Sequence, residues 1–174
     1  THVNGVPDGS WDGEITASDL IYRESSTICD GKAGTPSAVN PLINCRDEDG
    51  NKKIDDLVGW NVLGTPTNPD DDHWHGTHVA GIASANGLYK GVAPDAFILP
   101  VKVLGKTAQG SWGGVMAGID YVVNAPYKPL AQVINMSLAS PNGSANSALS
   151  LAADKAVDAG VIVVVAAGNE GGSD

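Results

Sequence analysis

The sequence predicts an α/β fold in which helices cover a parallel sheet on both faces. Two observations lead to this prediction. From Gly76 onward, apolar segments of strand length alternate with segments whose apolar residues recur at helical spacing. The last apolar segment, Val161–Ala167, contains no polar residue, which is typical of a strand buried on both faces. Alternation at this spacing indicates strand–helix–strand units and a three-layer α/β/α architecture.

The first part of the chain shows no sustained period. Residues 1–46 are rich in Gly, Ser, Thr, Pro and Asp, which predicts a loop-rich portion with short strand pieces. The segment "DLVGWNVLG" predicts a short strand that ends at Gly64. Small residues from Gly76 to about Ser84 predict a buried helix, and the apolar run Ala96–Leu104 predicts the next strand.

Three further elements complete the predicted alternation. The segment "SWGGVMAGIDYVVNA" has apolar residues at helical spacing, and "AQVINMSL" after it predicts a strand. A helix follows in "SANSALSLAADKAVDAG", where Ser144 or Asn142 can cap the start and Gly160 can close the end. No repeat and no second domain is visible in the 174 residues, and chemistry is expected at the carboxyl ends of the strands.

The composition restricts the classes of partner. A formal net charge of −10 argues against nucleic acid, because duplex binding needs clustered Lys and Arg. No apolar run approaches the length of a membrane span. Cys29 and Cys45 are the two cysteines, and a disulfide between them is slightly favoured over two unrelated thiols.

The stretch "HWHGTHVAG" raises the question of what its histidines do. A zinc site with the pattern H-E-x-x-H is absent and no cysteine lies nearby, so metal binding is disfavoured. His75 precedes Gly76 and Thr77 at the start of the predicted helix, a position that suits a general base. His73 and His78 are expected to pack or to face solvent, with His78 packed or hydrogen-bonded inside the helix.

Three segments read together give a family resemblance. "HGTHVAGIA" (His75–Ala83), "VINMSL" (Val133–Leu138) and "VVVAAGNEG" (Val163–Gly171) occur in this order. They resemble consecutive signatures of the subtilisin-like serine proteases, and the resemblance extends over about residues 47–174. It implies that residues 1–174 are a partial peptidase catalytic domain, with a subtilisin-like fold that is incomplete at both ends.

The resemblance implies a serine-type endopeptidase that hydrolyses peptide bonds through an acyl-enzyme and a Ser–His–Asp triad. His75 matches the triad histidine, and Asn169 matches the family's oxyanion-hole asparagine. No Asp-Thr-Gly or Asp-Ser-Gly motif is present, so Asp8 is only a weak candidate and the aspartate is expected upstream of Thr1. The Gly-Thr-Ser-x-Ala motif of the nucleophile is also absent, and the 174-residue chain alone is expected to be inactive.

The resemblance also implies a substrate-binding surface. Gln109 and Gly110 match the segment that pairs with the substrate backbone as an added edge strand. Trp112 and Val115 match a distal apolar pocket, although Trp112 could equally be an ordinary core aromatic. The two walls of the primary specificity pocket would include Ser137, Leu138 and Ala139 on one side, and Ala167 and Gly168 on the other. Ala139 and Ser140 replace the family's usual Gly-Gly, which puts the width of the pocket in doubt.

Acidic residues ahead of the histidines form a candidate calcium loop. Asp47, Asp49, Asn51 and Asp55 stand at positions 1, 3, 5 and 9 of an EF-hand-like pattern. Val58 occupies position 12 in place of Glu, so the loop is not a true EF-hand. Structural Ca²⁺ and a plain solvated acidic loop both remain open, whereas Asp70–Asp72 are expected to form a solvated turn.

The function predicted from the sequence is therefore a subtilisin-like endopeptidase acting on polypeptides outside the cell or in the secretory pathway. A propeptide or protein inhibitor is a further expected partner, and neither nucleic acid nor a membrane span is expected. The alternative is a non-catalytic, calcium-binding domain of the same fold that binds peptide strands. The flanking gene sequence discriminates between them, because only the protease requires the missing aspartate and serine motifs in frame.

Overall fold

The computed structural model describes residues 2–3, 6–7, 53, 59–64, 69–124, 129–139 and 146–169. Two short strands, β1 (His2–Val3) and β2 (Val6–Pro7), pair antiparallel. The remaining elements are β3 (Trp60–Asn61), α1 (His75–Ser84), β4 (Val101–Lys102), α2 (Trp112–Val123), β5 (Val133–Met136), α3 (Ala148–Asp158) and β6 (Ile162–Val165).

Two parallel strand pairs confirm the predicted α/β class. β3 pairs with β4 in the register Trp60↔Val101, and α1 lies between them in the chain. β5 pairs with β6 over four residues, from Val133↔Ile162 to Met136↔Val165, and α3 connects them. Each unit is a strand–helix–strand crossover, as the alternation of apolar segments predicts.

Helix α2 packs against both strand pairs. Its buried Val115 and Ile119 belong to a cluster with residues of β5, α3 and the start of the last strand. Its buried Tyr121 stacks on Trp60 of β3, with 6.1 Å between the ring centroids. Gly118 allows close contact with β4, because a Cβ there would lie 3.1 Å from Cγ1 of Val101.

Strands β4 and β5 face each other across a gap. No backbone hydrogen bond joins them in the part of the chain that the structure describes. A cavity of about 140 Å³ lies between them, lined mainly by apolar residues of both strands and of α2. Leu99 and Ala131, which precede the two strands, pack in one cluster, while Val103 and Leu138, which follow them, pack against the other. The strands therefore run in the same direction, and their carboxyl ends share one side of the molecule.

Several strand and helix predictions need correction. The strand expected over Ala96–Leu104 is limited to β4, because only its two residues pair with β3. Val161–Ala167 is not buried on both faces: Val161 is 2% exposed, but Ile162 is 62% exposed. The physical reason is that α3 packs against β6 while no other described element covers the opposite side.

The two remaining helix predictions had mixed outcomes. No residue of α1 is buried, because the described chain leaves most of its surface uncovered. Helix α3 begins later than expected, since the Ser147 hydroxyl caps it by accepting from the amide of Ser150 at 3.2 Å. Ser144 and Asn142 lie outside the described residues. Gly160, with φ of +88°, ends the helix as predicted.

Candidate active site

A single carboxylate organises the start of α1. Oδ1 of Asp71 accepts hydrogen bonds from the backbone N–H groups of His73 at 2.8 Å and Trp74 at 3.1 Å. Its Oδ2 accepts from both the backbone N–H and the hydroxyl of Thr77, each at 2.8 Å. The hydrogen bond from the Thr77 amide is the largest of the causes that lower the pKa of Asp71 to about 2. Asp70–Asp72 are exposed in the loop before α1, in agreement with the expected solvated turn, and Asp71 in addition holds the start of the helix.

His75 is the first residue of α1 and is exposed to solvent. The residue before it, Trp74, is 68% exposed and has a left-handed backbone with φ of 81°. The Trp74 indole meets the His75 ring edge to face, with 5.9 Å between centroids, and stacks on His73 at 5.3 Å. The side chain of His75 thus lies at a helix start that is open to solvent.

The other two histidines differ from His75. His73 is half-buried, and its Nδ1 has no hydrogen-bond partner within the described ranges. His78 lies inside α1 but is exposed, so the expectation that it packs is wrong. The described chain provides no neighbour over that side of the helix.

Lys102 ties the start of α1 to the carboxyl end of β4. Its Nζ donates to the carbonyl oxygen of Asp70 at 2.7 Å and forms an ion pair with Asp72 at 2.9 Å. Lys102 is the last residue of β4. His75 therefore lies on the side of the molecule at which the parallel strands end, as expected for a site in this class of fold.

The segments that follow β5 and β6 leave the sheet side by side. The amide of Ala166 donates to the carbonyl of Met136 at 3.1 Å, which extends the pairing beyond the strands. Ser137, Leu138 and Ala139 follow β5, and the Ser137 hydroxyl accepts from Nδ2 of Asn135 at 2.9 Å. Leu138 packs against the core, whereas Ala139 is exposed.

Ala167, Gly168 and Asn169 follow β6. Gly168 has φ of +96°, a conformation that side-chain-bearing residues rarely adopt, and the chain changes direction there. Ala167 and Asn169 are exposed. The two segments that the sequence predicts as opposite pocket walls therefore leave neighbouring strands of one sheet.

The predicted substrate edge lies in the loop after β4. Gln109 and Gly110 are exposed and belong to no strand, and the carbonyl of Gln109 accepts from Gly105 at 2.9 Å. A Cβ at Gly110 would lie 2.4 Å from the carbonyl oxygen of Val103, so the close approach requires glycine.

Of the two predicted distal-pocket residues, only one reaches solvent. Trp112, at the start of α2, is 42% exposed and is not an ordinary core aromatic. Val115 is 7% exposed and belongs to the hydrophobic core, and its role in lining the pocket stays a prediction. Val115 lies nearly one helical turn after Trp112, on the side of α2 that meets the sheet.

Some predictions concern residues outside the described ranges. These are the calcium-ligand candidates Asp47, Asp49, Asn51 and Asp55, together with Asp8, Cys29, Cys45 and Ser140.

Lys53, which is described, lies with its Nζ 4.7 Å from the centre of a Trp60 ring. Among the described residues, no group of three or more His, Cys, Asp or Glu could hold a metal ion, and no helix is long and apolar enough to cross a membrane.

Comparisons with known proteins give the family of the chain. The model of the "Subtilase family" matches residues 15–174. Subtilisin E from Bacillus subtilis (strain 168) is 44% identical over 119 residues, which is 66% of this chain and 30% of that protein. The extracellular serine proteinase of Thermus sp. (strain Rt41A) is 43% identical over 112 residues, covering 64% of this chain and 26% of that protein.

A solved structure gives the same result. The crystal structure of a cold adapted subtilisin-like serine proteinase matches with a TM-score of 0.55 and 35% identity, covering 64% of this chain and 38% of that one. The chain thus spans roughly a third of the length of the relatives it matches. Because the family model covers most of the sequence, the chain belongs to the subtilase family.

Proposed function

We propose that the protein containing this chain is a secreted serine endopeptidase in which His75 is the general base and Asn169 an oxyanion donor. The observation that supports it most is the position of both residues on the side where the parallel strands end. The relative from Thermus is named an extracellular serine proteinase, which supports secretion. The full-length protein is the gene product that contains these 174 residues.

The proposed reaction is acyl transfer to a serine hydroxyl and then to water. Nε2 of His75 accepts the serine proton while the oxygen attacks the carbonyl carbon of the scissile peptide bond. The C–N bond breaks as His75 returns that proton to the leaving amine, and water then hydrolyses the acyl-enzyme by the same exchange. We expect the nucleophilic serine, and an aspartate that orients His75, in sequence flanking the chain.

Asn169 would act on the charge that develops in this reaction. Its side-chain N–H can donate to the oxyanion of the tetrahedral intermediate, and a donor fixed in advance needs no reorganisation. The sheet pairing of β6 supports this role, because Ala166 is still hydrogen-bonded to Met136 three residues before Asn169. The open helix start at His75 leaves room for the substrate carbonyl to approach.

The proposed substrate is an extended polypeptide. Its backbone would lie along Gln109 and Gly110, whose exposure leaves their peptide groups accessible to an added strand. Its side chains would enter the space between Ser137–Ala139 and Ala167–Gly168, and Trp112 would contact a more distant residue. The half-exposed indole of Trp112 supports that last contact.

Labelling of the full-length protein with a fluorophosphonate tests the proposal. We expect one serine outside residues 1–174 to be labelled, and His75→Ala to abolish both labelling and peptide hydrolysis. His78→Ala is the matched control, because it removes another exposed histidine from the same helix, and it should react normally. Normal turnover by His75→Ala would overturn the role of His75. A folded full-length protein that never labels would favour the non-catalytic alternative, and labelling of a serine within the chain would contradict the expected position of the nucleophile.

We also propose that Asp47, Asp49, Asn51 and Asp55 bind a structural Ca²⁺. The support is their alternate spacing in the sequence, which suits a loop of carboxylate and amide oxygens. Calcium should raise the melting temperature of the full-length protein, and Asp49→Asn should reduce that rise. Asp154→Asn, an equal charge change on α3, is the control. An equal calcium response in wild type and Asp49→Asn would reject the site.

A further inference from the structure

We propose that Asp71 is a positioning residue for His75, an inference that rests on the proposed role of His75 as the general base. Four hydrogen bonds converge on the Asp71 carboxylate, from His73, Trp74 and Thr77. Two of the donors are the amides immediately before His75, and the other two belong to the residue two positions after it. One side chain therefore holds the backbone on both sides of the proton-transfer group.

The left-handed backbone of Trp74 explains why such a restraint is needed. A non-glycine residue with φ of 81° is uncommon, and such a conformation persists only where the surroundings maintain it. The hydrogen bond from the Trp74 amide to Asp71 is one such restraint. If Trp74 relaxed toward right-handed geometry, the Cα–Cβ direction of His75 would rotate with it.

Asp71 also accepts a hydrogen bond from a free N–H group at the start of α1, a role that the side chain of the N-cap residue usually has. Trp74, at the N-cap position, makes no side-chain capping bond. The Asp71 carboxylate instead accepts from Thr77, the third residue of α1, and places a negative charge where the helix dipole favours it. The helix start and the position of His75 therefore depend on the same carboxylate.

Asp71 also stands between two attachments to the sheet. Its neighbours Asp70 and Asp72 both bind Lys102 at the end of β4, one through its carbonyl and one through its carboxylate. Lys102 holds Asp70–Asp72 against the end of β4, and Asp71 determines how the chain turns from there into α1. Asp71 hydrogen-bonds to residues on both sides of His75.

Asp71→Asn in the full-length protein is the decisive variant. With the amide oxygen on the His73 and Trp74 side, the amide N–H group faces the backbone N–H of Thr77, and that hydrogen bond is lost. We expect kcat to fall about 10- to 100-fold, with KM changed less than about threefold, because small misplacements of a catalytic group have effects of this size. Asp95→Asn is the charge-matched control: it removes one carboxylate charge from an exposed turn between α1 and β4 and should keep kcat within about twofold.

Active-site titration separates positioning from folding. A folding defect reduces the fraction of molecules that titrate with a fluorophosphonate, whereas misplacement of His75 lowers kcat per titrated site. We expect the second result. An Asp71→Asn variant with wild-type kcat per titrated site would overturn the proposal, even if fewer sites titrate.

A second pair of variants covers the case in which Asp71→Asn does not fold. Thr77→Val removes only the hydroxyl hydrogen bond to Asp71, and Thr77→Ser retains it. We expect Thr77→Val to lower kcat per titrated site about three- to tenfold and Thr77→Ser to stay within about twofold. Equal kcat in the two would contradict the proposal. If His75→Ala is inactive while the Asp71 and Thr77 variants are normal, only the positioning role fails; if His75→Ala is fully active, the proposed function fails.

Discussion

The start of α1 and the end of β6 each present one polar side chain to the candidate site, and they are held differently. Around His75 the restraints are polar and short in sequence, since all four hydrogen bonds to Asp71 come from residues 73–77. Helix α1 itself has no buried residue. Ahead of Asn169, a four-residue parallel ladder and the buried Val161 hold β6 against β5 and α3.

This difference indicates which changes should affect the start of α1 and which should affect the end of β6. Polar contacts at an exposed helix start respond to charge and pH, and they contribute little to overall stability. Nonlocal apolar packing responds to changes in side-chain volume and is a main source of folding free energy. Substitutions can therefore affect one end without the other.

The largest expected effect comes from the β6 end. Asn169→Leu should lower kcat about 10²- to 10³-fold with little change in KM, because a donor to the oxyanion acts mainly in the transition state; this magnitude is the one measured for subtilisin itself. Steady-state kinetics of the full-length protein measures both constants. Asn124→Ala, at the end of α2, is the control and should be normal. A rise in KM at unchanged kcat would assign Asn169 to substrate binding instead.

Shortening a buried side chain next to β6 should lower the free energy of unfolding, because apolar packing holds this strand in place. Val161→Ala removes two methyl groups at a position that is 2% exposed, and should lower the free energy of unfolding by about 1–3 kcal/mol. Val164→Ala makes the same change on the same strand at a position that is 49% exposed, and should cost less. Urea unfolding of the full-length protein gives both values. Equal losses would show that β6 is not anchored by Val161.

Helix capping offers a smaller and more local test. Ser147→Ala should lower the free energy of unfolding by about 1 kcal/mol, because it leaves an amide at the start of α3 without its acceptor. Ser147→Asp keeps an acceptor at that position and should retain most of the stability. Hydrogen exchange should show the loss in α3 and not in α1. Equal stability of the two variants would remove capping as the reason.

The smallest expected effect is the acid response of the α1 start. Because the pKa of Asp71 is lowered to about 2 from its ordinary value of 3.8, its stabilisation is complete above pH of about 4. That stabilisation is lost as the pH falls through about 2. The amide resonance of Thr77 should titrate with a midpoint near 2 in protein labelled with ¹⁵N-threonine. Asp71→Asn should abolish the step, and a midpoint near 3.8 would contradict the hydrogen-bond arrangement.

The sequence predicts the elements better than their surroundings. The spacing of Val115, Ile119 and Val122 is enough to predict α2, because a helix repeats every 3.6 residues. The same spacing does not say that Val115 faces the core while Trp112 reaches solvent, because that depends on how α2 rotates against the sheet. The apolar run Val161–Ala167 predicts β6, yet which of its faces is covered depends on elements distant in the chain.

In the candidate site too, the sequence indicates some residues and the structure is needed for others. The proposed roles of His75 and Asn169 come from their motifs, since each stands in a short, recognisable context. The sequence does not single out Asp71, because three consecutive aspartates look equivalent in it, whereas the structure directs Asp71 toward Thr77 beside the left-handed Trp74. The available signal was an acidic residue shortly before a helix start that lacks its own capping side chain.

The left-handed tryptophan beside the histidine also has an evolutionary consequence. Glycine adopts that backbone conformation without steric cost and asparagine tolerates it well, so codon randomisation at position 74 followed by selection for heat resistance should enrich both. Retention of tryptophan under selection for proteolysis, but not under selection for heat resistance, would indicate that the indole persists for a reason other than stability. Position 74 would then be one where adaptation to temperature and adaptation to substrate compete.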